Sequence, residues 1–513
     1  MCSTRKVSSL RKDMNKKYTS KQIIDFIRQK KEPFWLKERE RRALALFHRA
    51  AEGVPAYKDF LAKNRIQHGK VKSWQDFQLV PPVSKKDYLQ QYPLEMLCWD
   101  GTLARPLVFS ATSGSTGEPF YFPRTEALEW ESSILYEMFL KNGRNGGPVL
   151  AINCFGMGVW IGGLIAHKSI DSASRRGNLP VSIISPGVNK SEVIKALKNL
   201  APKYGQTLLC GYPPFIKDIL EEALCQGIDL KPLNLRLLFA AEAFSEAFRD
   251  YLAEMAHLKN VHLDTLNIYG TADIGTMAFE TPASILIRRT AMKNTSVFQT
   301  LFSSIAKTPT LAQYNPLFMT FEAPGSEIHV TGNSAIPLIR HSIGDNGGVL
   351  SMSEIRERLG SHGVDIGKEA AENGLEGPIG ELPFVYVYER RDLSISLYGL
   401  QIYPEYIRDA LIDKTLAAHL TGRFTIITRY DDRQNQYLEL NLESSNAVEA
   451  CLLHEKTIRE VVCSRLREKS SEFRELTNNL KDKMFLEVKF WPKDHPQYFK
   501  TGAKQRWIQR PAV

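Results

Sequence analysis

Through the middle of the chain, short apolar runs alternate with amphipathic stretches, and this rhythm predicts most of the architecture. Residues 149–153, 181–185, 207–210, 235–240 and 263–268 are brief, mostly apolar runs with the length and composition of buried strands. Between them, residues 191–200, 214–226 and 245–256 repeat apolar side chains every three or four positions, which predicts helices. Strand–helix alternation at this interval predicts a parallel sheet covered by helices on both faces, with ligands held in loops at the strands' carboxyl ends. Helical patterning at 22–27 and 41–51 precedes this region, and β-ribbon texture at 327–331 and 348–352 follows it. Beyond Arg391 a shorter unit reads as a strand, a helix at 404–412, strands at 424–428 and 437–442, a helix at 447–469 and a strand at 484–490.

One stretch tests the pattern. Residues 147–166 are almost wholly apolar, with a GxxxG spacing at Gly158 and Gly162, and are long enough to cross a bilayer. They also contain five Gly and one Pro, and each interior Gly costs a helix about 1 kcal/mol relative to Ala. A buried strand, a Gly-rich turn and the start of a packed helix are expected instead, and no membrane partner.

Composition and charge narrow the classes. At 513 residues, 43% hydrophobic and 24% charged, the chain is globular and exceeds one ordinary core. Its seven Cys are scattered, odd in number and without a CxxC. This argues against a disulfide framework or Cys-based zinc site and fits a reducing cytoplasm. The net charge of +10 lies entirely in the first 50 residues, which carry 15 Lys/Arg against 5 Asp/Glu. A solvated basic leader accounts for it, so a nucleic-acid-binding face is not expected. The leader has no apolar core and so is not a secretory signal.

The segment with the most chemistry is Ser110-Ala-Thr-Ser-Gly-Ser-Thr-Gly-Glu-Pro119. Gly114 and Gly117 permit sharp turning and close approach, while Thr112, Ser113, Ser115 and Thr116 add four hydroxyls to the exposed amides, a combination suited to a polyphosphate. It lacks the Lys of a GxxxxGK[ST] loop. A surface Ser/Gly linker is the alternative, although apolar runs bound the segment closely on both sides.

At this loop the sequence resembles the adenylate-forming superfamily of acyl-CoA ligases, adenylation domains and luciferases. More narrowly, it resembles the phenylacetate-CoA ligase branch with its capsule-biosynthesis and deazaflavin-adenylating relatives. Thr112 to Pro119 match that branch's T-S-G-S/T-T-G-x-P loop, and Val54, Pro55 and Tyr57 its V-P-x-Y signature. Ala240-Ala-Glu-Ala-Phe-Ser245 resembles the G-A-E segment beside the adenine, and Asn267-Ile-Tyr-Gly-Thr-Ala-Asp273 the Y-G-x-T/S-E motif, with Asp in place of Glu. Ile336 to Asp345 resembles P-L-I-R-Y-R-T-G-D, with Ser342 where the branch has a second Arg. Arg390-Arg-Asp392, Tyr398-Gly399 and Tyr403-Pro404 resemble the hinge and the motif after it. The match extends from about residue 40 to the C-terminus.

The resemblance implies an α/β fold with a large N-terminal domain of parallel sheets and helices plus a β-ribbon or barrel-like part. A small, mobile C-terminal α+β domain would follow. The expected division is a basic extension (1–35), a large domain (36–388), a hinge (389–392) holding Arg390 and Asp392, and a small domain (393–513). ATP would contact Thr112, Ser113, Gly114, Ser115, Thr116, Gly117, Ala241, Glu242, Tyr269, Gly270, Thr271, Asp345 and Arg390, with Mg²⁺ on Asp273. Residue by residue, other roles remain open: Asp345 also suits a Gly-Asp-Asn-Gly turn and Asp273 a helix cap. Phe155 and Trp160 are candidate walls of the acid's pocket. The branch's terminal S-G-K-x-x-R is slipped by one residue here, which makes Lys504 the expected catalytic lysine and Lys500 its reserve.

The implied activity is ATP- and Mg²⁺-dependent activation of a small carboxylic acid, aromatic acids being among the candidates, as its acyl-AMP, followed by transfer to CoA or another acceptor. The alternatives are adenylyl transfer to a phenol-type nucleophile and a non-catalytic scaffold. The expected partners are the small-molecule acid and acceptor, and the chain would act as a monomer or homodimer.

Overall fold

The computed structural model describes residues 18–111, 120–143, 147–158, 161–302, 308–375, 379–388, 395–411, 420–444, 455–480, 485–493, 495–499 and 507–508. The central sheet runs Met319–Glu322, Glu327–Gly332, Leu338–Leu350, Phe384–Tyr388, Thr310–Gln313, Gly275–Phe279, Thr265–Thr271, Leu235–Ala240, Gln206–Gly211, Val149–Asn153, Val181–Ile184, with Val83–Ser84 beside Leu338–Leu350. The last five of that order are parallel, as is Val83–Ser84 with Leu338–Leu350, and the remaining pairings are antiparallel. The parallel half is the sheet expected from the sequence. Every residue of Val149–Asn153 and of Gln206–Gly211 is buried, as strands covered on both faces require.

The helices between these strands start where side chains can cap them. Asn189 accepts the amide of Glu192 ahead of Lys190–Asn199, and Ser245 accepts that of Phe248 ahead of Glu246–Met255. A cap also explains a difference: Asn260 takes the amides of His262 and Leu263, so Val261–Asp264 is a helical turn and the strand begins at Thr265 rather than 263. The 147–166 stretch divides as expected into the strand Val149–Asn153 and the helix Ile161–Gly177. Among the described residues no helix is long and apolar enough to cross a membrane.

Two further results concern the ends of the chain. The helix Ser20–Gln29 buries Ile23, Ile24 and Ile27 in one cluster with Trp35, Leu135 and Phe279, so the boundary expected at 35 falls within packed structure. The C-terminal sheet domain consists of Leu420–Tyr430, Gln436–Ser444 and Leu486–Trp491, covered by Pro404–Leu411, Glu455–Lys469 and Ser471–Asn479. Its apolar side chains form one continuous cluster with those beneath the parallel sheet, from Leu150 and Phe215 through Leu397 and Tyr398 to Phe424 and Leu440.

Partly buried Glu131, on the helix Glu126–Lys141, borders a cavity of about 30 Å³ with Ile27, Leu135, Thr276, Asn315 and Phe318. This is room for about one water. Burial pushes its carboxyl up to about 8, against the pull of Arg42. The folded state therefore holds a proton that the unfolded chain releases near its ordinary value of 4.5. This contribution to stability is complete below that value and is lost as pH rises through about 8. Glu131→Gln is expected to flatten the fall in melting temperature over this interval, and an unchanged slope would contradict the assignment.

Candidate active site

The candidate residues converge at the carboxyl ends of two parallel strands. Leu235–Ala240 delivers Ala241 and Glu242, and Thr265–Thr271 delivers Tyr269, Gly270 and Thr271 before turning through Asp273 into Gly275–Phe279. The turn is tight: a methyl group on Gly270 would lie 2.5 Å from the Gly275 carbonyl oxygen, so only glycine fits. Ala241 has φ +74°, an uncommon left-handed backbone for a residue with a Cβ and one that recurs at functional sites.

The strand Leu338–Leu350 crosses this edge and makes two contacts with it. Tyr269 donates its phenol proton to Asp345 Oδ2 at 2.5 Å, and His341 Nε2 lies 2.9 Å from Asp273 Oδ2. Asp345 is in mid-strand rather than in a surface turn, since the residues after it pair directly with Phe384–Tyr388. Asp273 caps no helix; it belongs to the strand-to-strand turn. His341 is fully buried, and its Nδ1 has no hydrogen-bond partner among the described residues. The ring's polar contact is thus with Asp273.

Beneath this wall lies a buried ionic network. Arg249 reaches both oxygens of Glu280 at 2.7 and 2.9 Å and also binds Glu246, which Arg288 meets at 2.8 Å. Burial pushes the Glu246 carboxyl up, but the guanidiniums of Arg249 and Arg288 prevail and hold it below its ordinary value. Glu280 also accepts the Asn267 amide at 3.1 Å, and the Asn267 side chain donates to the Glu242 carbonyl at 3.1 Å. The network therefore fixes the backbone of both site-bearing strands.

Glu242 meets the C-terminal domain. Its carboxylate accepts Ser396 Oγ at 2.8 Å and the Gly399 amide, both from the hairpin Ile395–Leu397/Leu400–Ile402. Gly399, at φ +78°, approaches Tyr212 so closely that a Cβ would lie 2.6 Å from the ring. Tyr212 in turn packs edge-on against Phe155, with ring centroids 5.3 Å apart. Phe155 is only 1% exposed, so the structure places it in the core. Thr271 Oγ1 contacts Met277 Sδ at 3.8 Å.

Thr112, Ser113, Gly114, Ser115, Thr116 and Gly117 lie outside the described residues, as do Trp160, Arg390, Asp392, Lys500 and Lys504. Their supports are described. Val108–Ala111 and Tyr121–Arg124, which flank the hydroxyl-rich loop, pair antiparallel. Phe122 is buried in one cluster with Ile274 and Met277, and a Cβ on Gly275 would lie 3.8 Å from Arg124 Nη1, so the end of this hairpin sits beside the strand that leaves the Asp273 turn. Around Lys504, Phe499 is fully buried, the Trp507 carbonyl accepts the Ile426 amide, and Ile508 bridges Ile426, so both flanks are anchored to the C-terminal domain.

This architecture, a large sheet flanked by helices with a C-terminal sheet domain, is the fold of the adenylate-forming ligases. The chain is similar to 2-hydroxyisobutyryl-CoA ligase in complex with 2-HIB-AMP and CoA in the thioesterification state. The TM-score is 0.62 at 16% identity, covering 95% of this chain and 91% of that one. The same ligase in the postadenylation state with 2-HIB-AMP gives a TM-score of 0.50 at 16% identity, covering 95% and 92%. No protein-family model and no curated protein matches the sequence.

Proposed function

We propose that the chain is an ATP- and Mg²⁺-dependent acid ligase that activates a carboxylic acid as its acyl-AMP and transfers the acyl group to CoA or another acceptor. The observation that carries this reading is the convergence of Asp345 on Tyr269 and of His341 on Asp273, at the carboxyl edge of a parallel sheet and against the hairpin that carries Thr112 to Gly117. In α/β sheets that edge is where ligands bind.

In this reading the hydroxyls and amides of Thr112, Ser113, Gly114, Ser115, Thr116 and Gly117 hold the phosphates. Asp345 takes the ribose hydroxyls, and Ala241, Tyr269, Gly270 and Thr271 border the base and sugar. Among the described residues no group of three or more His, Cys, Asp or Glu side chains could hold a metal ion. Mg²⁺ binds through one or two carboxylates together with substrate phosphates. Asp273 would hold it, with His341 steadying the carboxylate, and the ion would neutralise phosphate charge. A carboxylate oxygen of the acid attacks the α-phosphorus as the bond to pyrophosphate breaks. The acceptor, for CoA its thiolate, then attacks the acyl carbon and AMP leaves. Positioning and electrostatic stabilisation drive both halves.

The domain expected from 393 to 513 would turn about Arg390 and Asp392 between the two halves. The higher similarity to the thioesterification state and the contact of Glu242 with Ser396 and Gly399 support assigning the present arrangement to the second half. Lys504 would act when that domain turns back. Incubation with ATP, Mg²⁺, hydroxylamine and a panel of carboxylic acids tests the activity. Hydroxamate from at least one acid is expected. ATP consumption only in the presence of a phenol would instead indicate adenylyl transfer.

A further inference from the structure

Arg124 ends the strand Tyr121–Arg124, immediately past the hydroxyl-rich loop, and is 4% exposed. A guanidinium this deep normally meets a carboxylate or several carbonyls, because an uncompensated buried charge is costly. Here it has no hydrogen bond or ion pair among the described residues, and its Nε is buried without a partner. Glu129 is the carboxylate that acts on its charge, but Lys168 already holds both Glu129 oxygens, at 3.0 and 2.9 Å. Burial accordingly pulls the Arg124 guanidinium down to about 10.

Its surroundings identify the place. A Cβ built on Gly275 would lie 3.8 Å from Arg124 Nη1, 3.7 Å from Leu128 Cδ2 and 3.2 Å from Ile165 Cδ1. The guanidinium is therefore beside the strand that leaves the Asp273 turn, where an apolar side chain of Glu126–Lys141 and one of Ile161–Gly177 also approach Gly275. A cation against apolar walls, adjoining a nucleotide site, has the chemistry to receive an anionic group on an otherwise apolar molecule.

We infer that Arg124 binds a carboxylate of the substrate acid, pairing with it in a charge-assisted, two-pronged contact. This rests on the ligase reading and adds a specificity residue to it. The carboxylate has two possible sources. It is either the one that attacks the α-phosphorus, which Arg124 would shield from repulsion by the phosphates, or a second one at the far end of a dicarboxylic acid.

The test uses the full chain, Arg124→Leu and Arg124→Lys with matched mono- and dicarboxylic acids: butyrate and succinate, valerate and glutarate, benzoate and phthalate. In wild type the preferred acid should raise the melting temperature without ATP, and this rise should vanish in Arg124→Leu. The KM for that acid should increase about 10–100-fold in Arg124→Leu, less in Arg124→Lys, with the KM for ATP unchanged. Ligand-free Arg124→Leu should melt no lower than wild type, since it sheds a buried charge that has no partner among the described residues. A preference for dicarboxylic acids that reverts to monocarboxylic ones in Arg124→Leu assigns the contact to the far carboxylate. Uniform loss without reversal assigns it to the reacting one. Wild-type KM and an unchanged acid-induced rise in Arg124→Leu would overturn the inference while leaving the ligase reading intact. An acid-induced rise lost in the variant, without ATP-dependent chemistry in wild type, would keep the carboxylate site and refute the ligase.

Discussion

Lys504→Ala is expected to slow acid-dependent ATP–pyrophosphate exchange by about 10²–10³-fold, the cost of removing one positioned group aimed at developing negative charge. The melting temperature should not change. The flanks of this lysine are fixed, at Phe499 on one side and at Trp507 and Ile508 on the other, so the substitution perturbs chemistry rather than folding. Lys500→Ala is the control and should retain exchange. Wild-type exchange by Lys504→Ala would remove this lysine from the mechanism. Loss confined to Lys500→Ala would transfer the role to that residue.

The second large effect is on stability. Glu280→Ala leaves the Arg249 guanidinium buried with only half of its carboxylate partners and deprives the Asn267 amide of its acceptor. Breaking a buried pair from one side costs about 3–5 kcal/mol, to be read from denaturant unfolding of wild type and variant side by side. Glu280→Gln keeps an acceptor for Asn267 but not the charge, and should fall between the two. A change below about 1 kcal/mol, the scale of an exposed ion pair, would contradict the reading of this network as the support of the site.

The parallel half of the sheet was legible because its strands are buried on both faces and read as continuous apolar runs, from Val149–Asn153 to Leu235–Ala240. The antiparallel half was less so. Leu338–Leu350 carries Arg340, His341, Ser342, Asp345 and Asn346 within one strand, a polar content that reads as ribbon and turn. Met352–Gly360 went unanticipated, although Ser351 and Glu354 form a capping box, a spacing that announces a helix N-terminus. Residues 348–352 therefore divide between the end of a strand and the start of a helix.

Within the site, Tyr269, Asp273 and Asp345 were recognisable because each lies in a motif with its own local order. Their partners were not. His341 meets Asp273 across 68 residues of sequence, and Tyr212 is defined by Gly399 on another domain. Arg124 stands out only when its surroundings show its Nε buried without a partner among the described residues. Such pairings arise from tertiary packing, which leaves no periodic trace in the chain. Glu242 shows the same limit: its motif predicts a nucleotide neighbour, whereas its carboxylate holds Ser396 and Gly399 in this arrangement.

The central claim is that a carboxylate oxygen is joined to the α-phosphorus of ATP at this site. Supplying the accepted acid with heavy oxygen in its carboxylate, together with ATP and Mg²⁺ and either CoA or hydroxylamine, follows that bond directly by mass spectrometry. The account predicts one heavy oxygen in the released AMP and none in pyrophosphate. AMP without label, or ADP with label in inorganic phosphate, would contradict it.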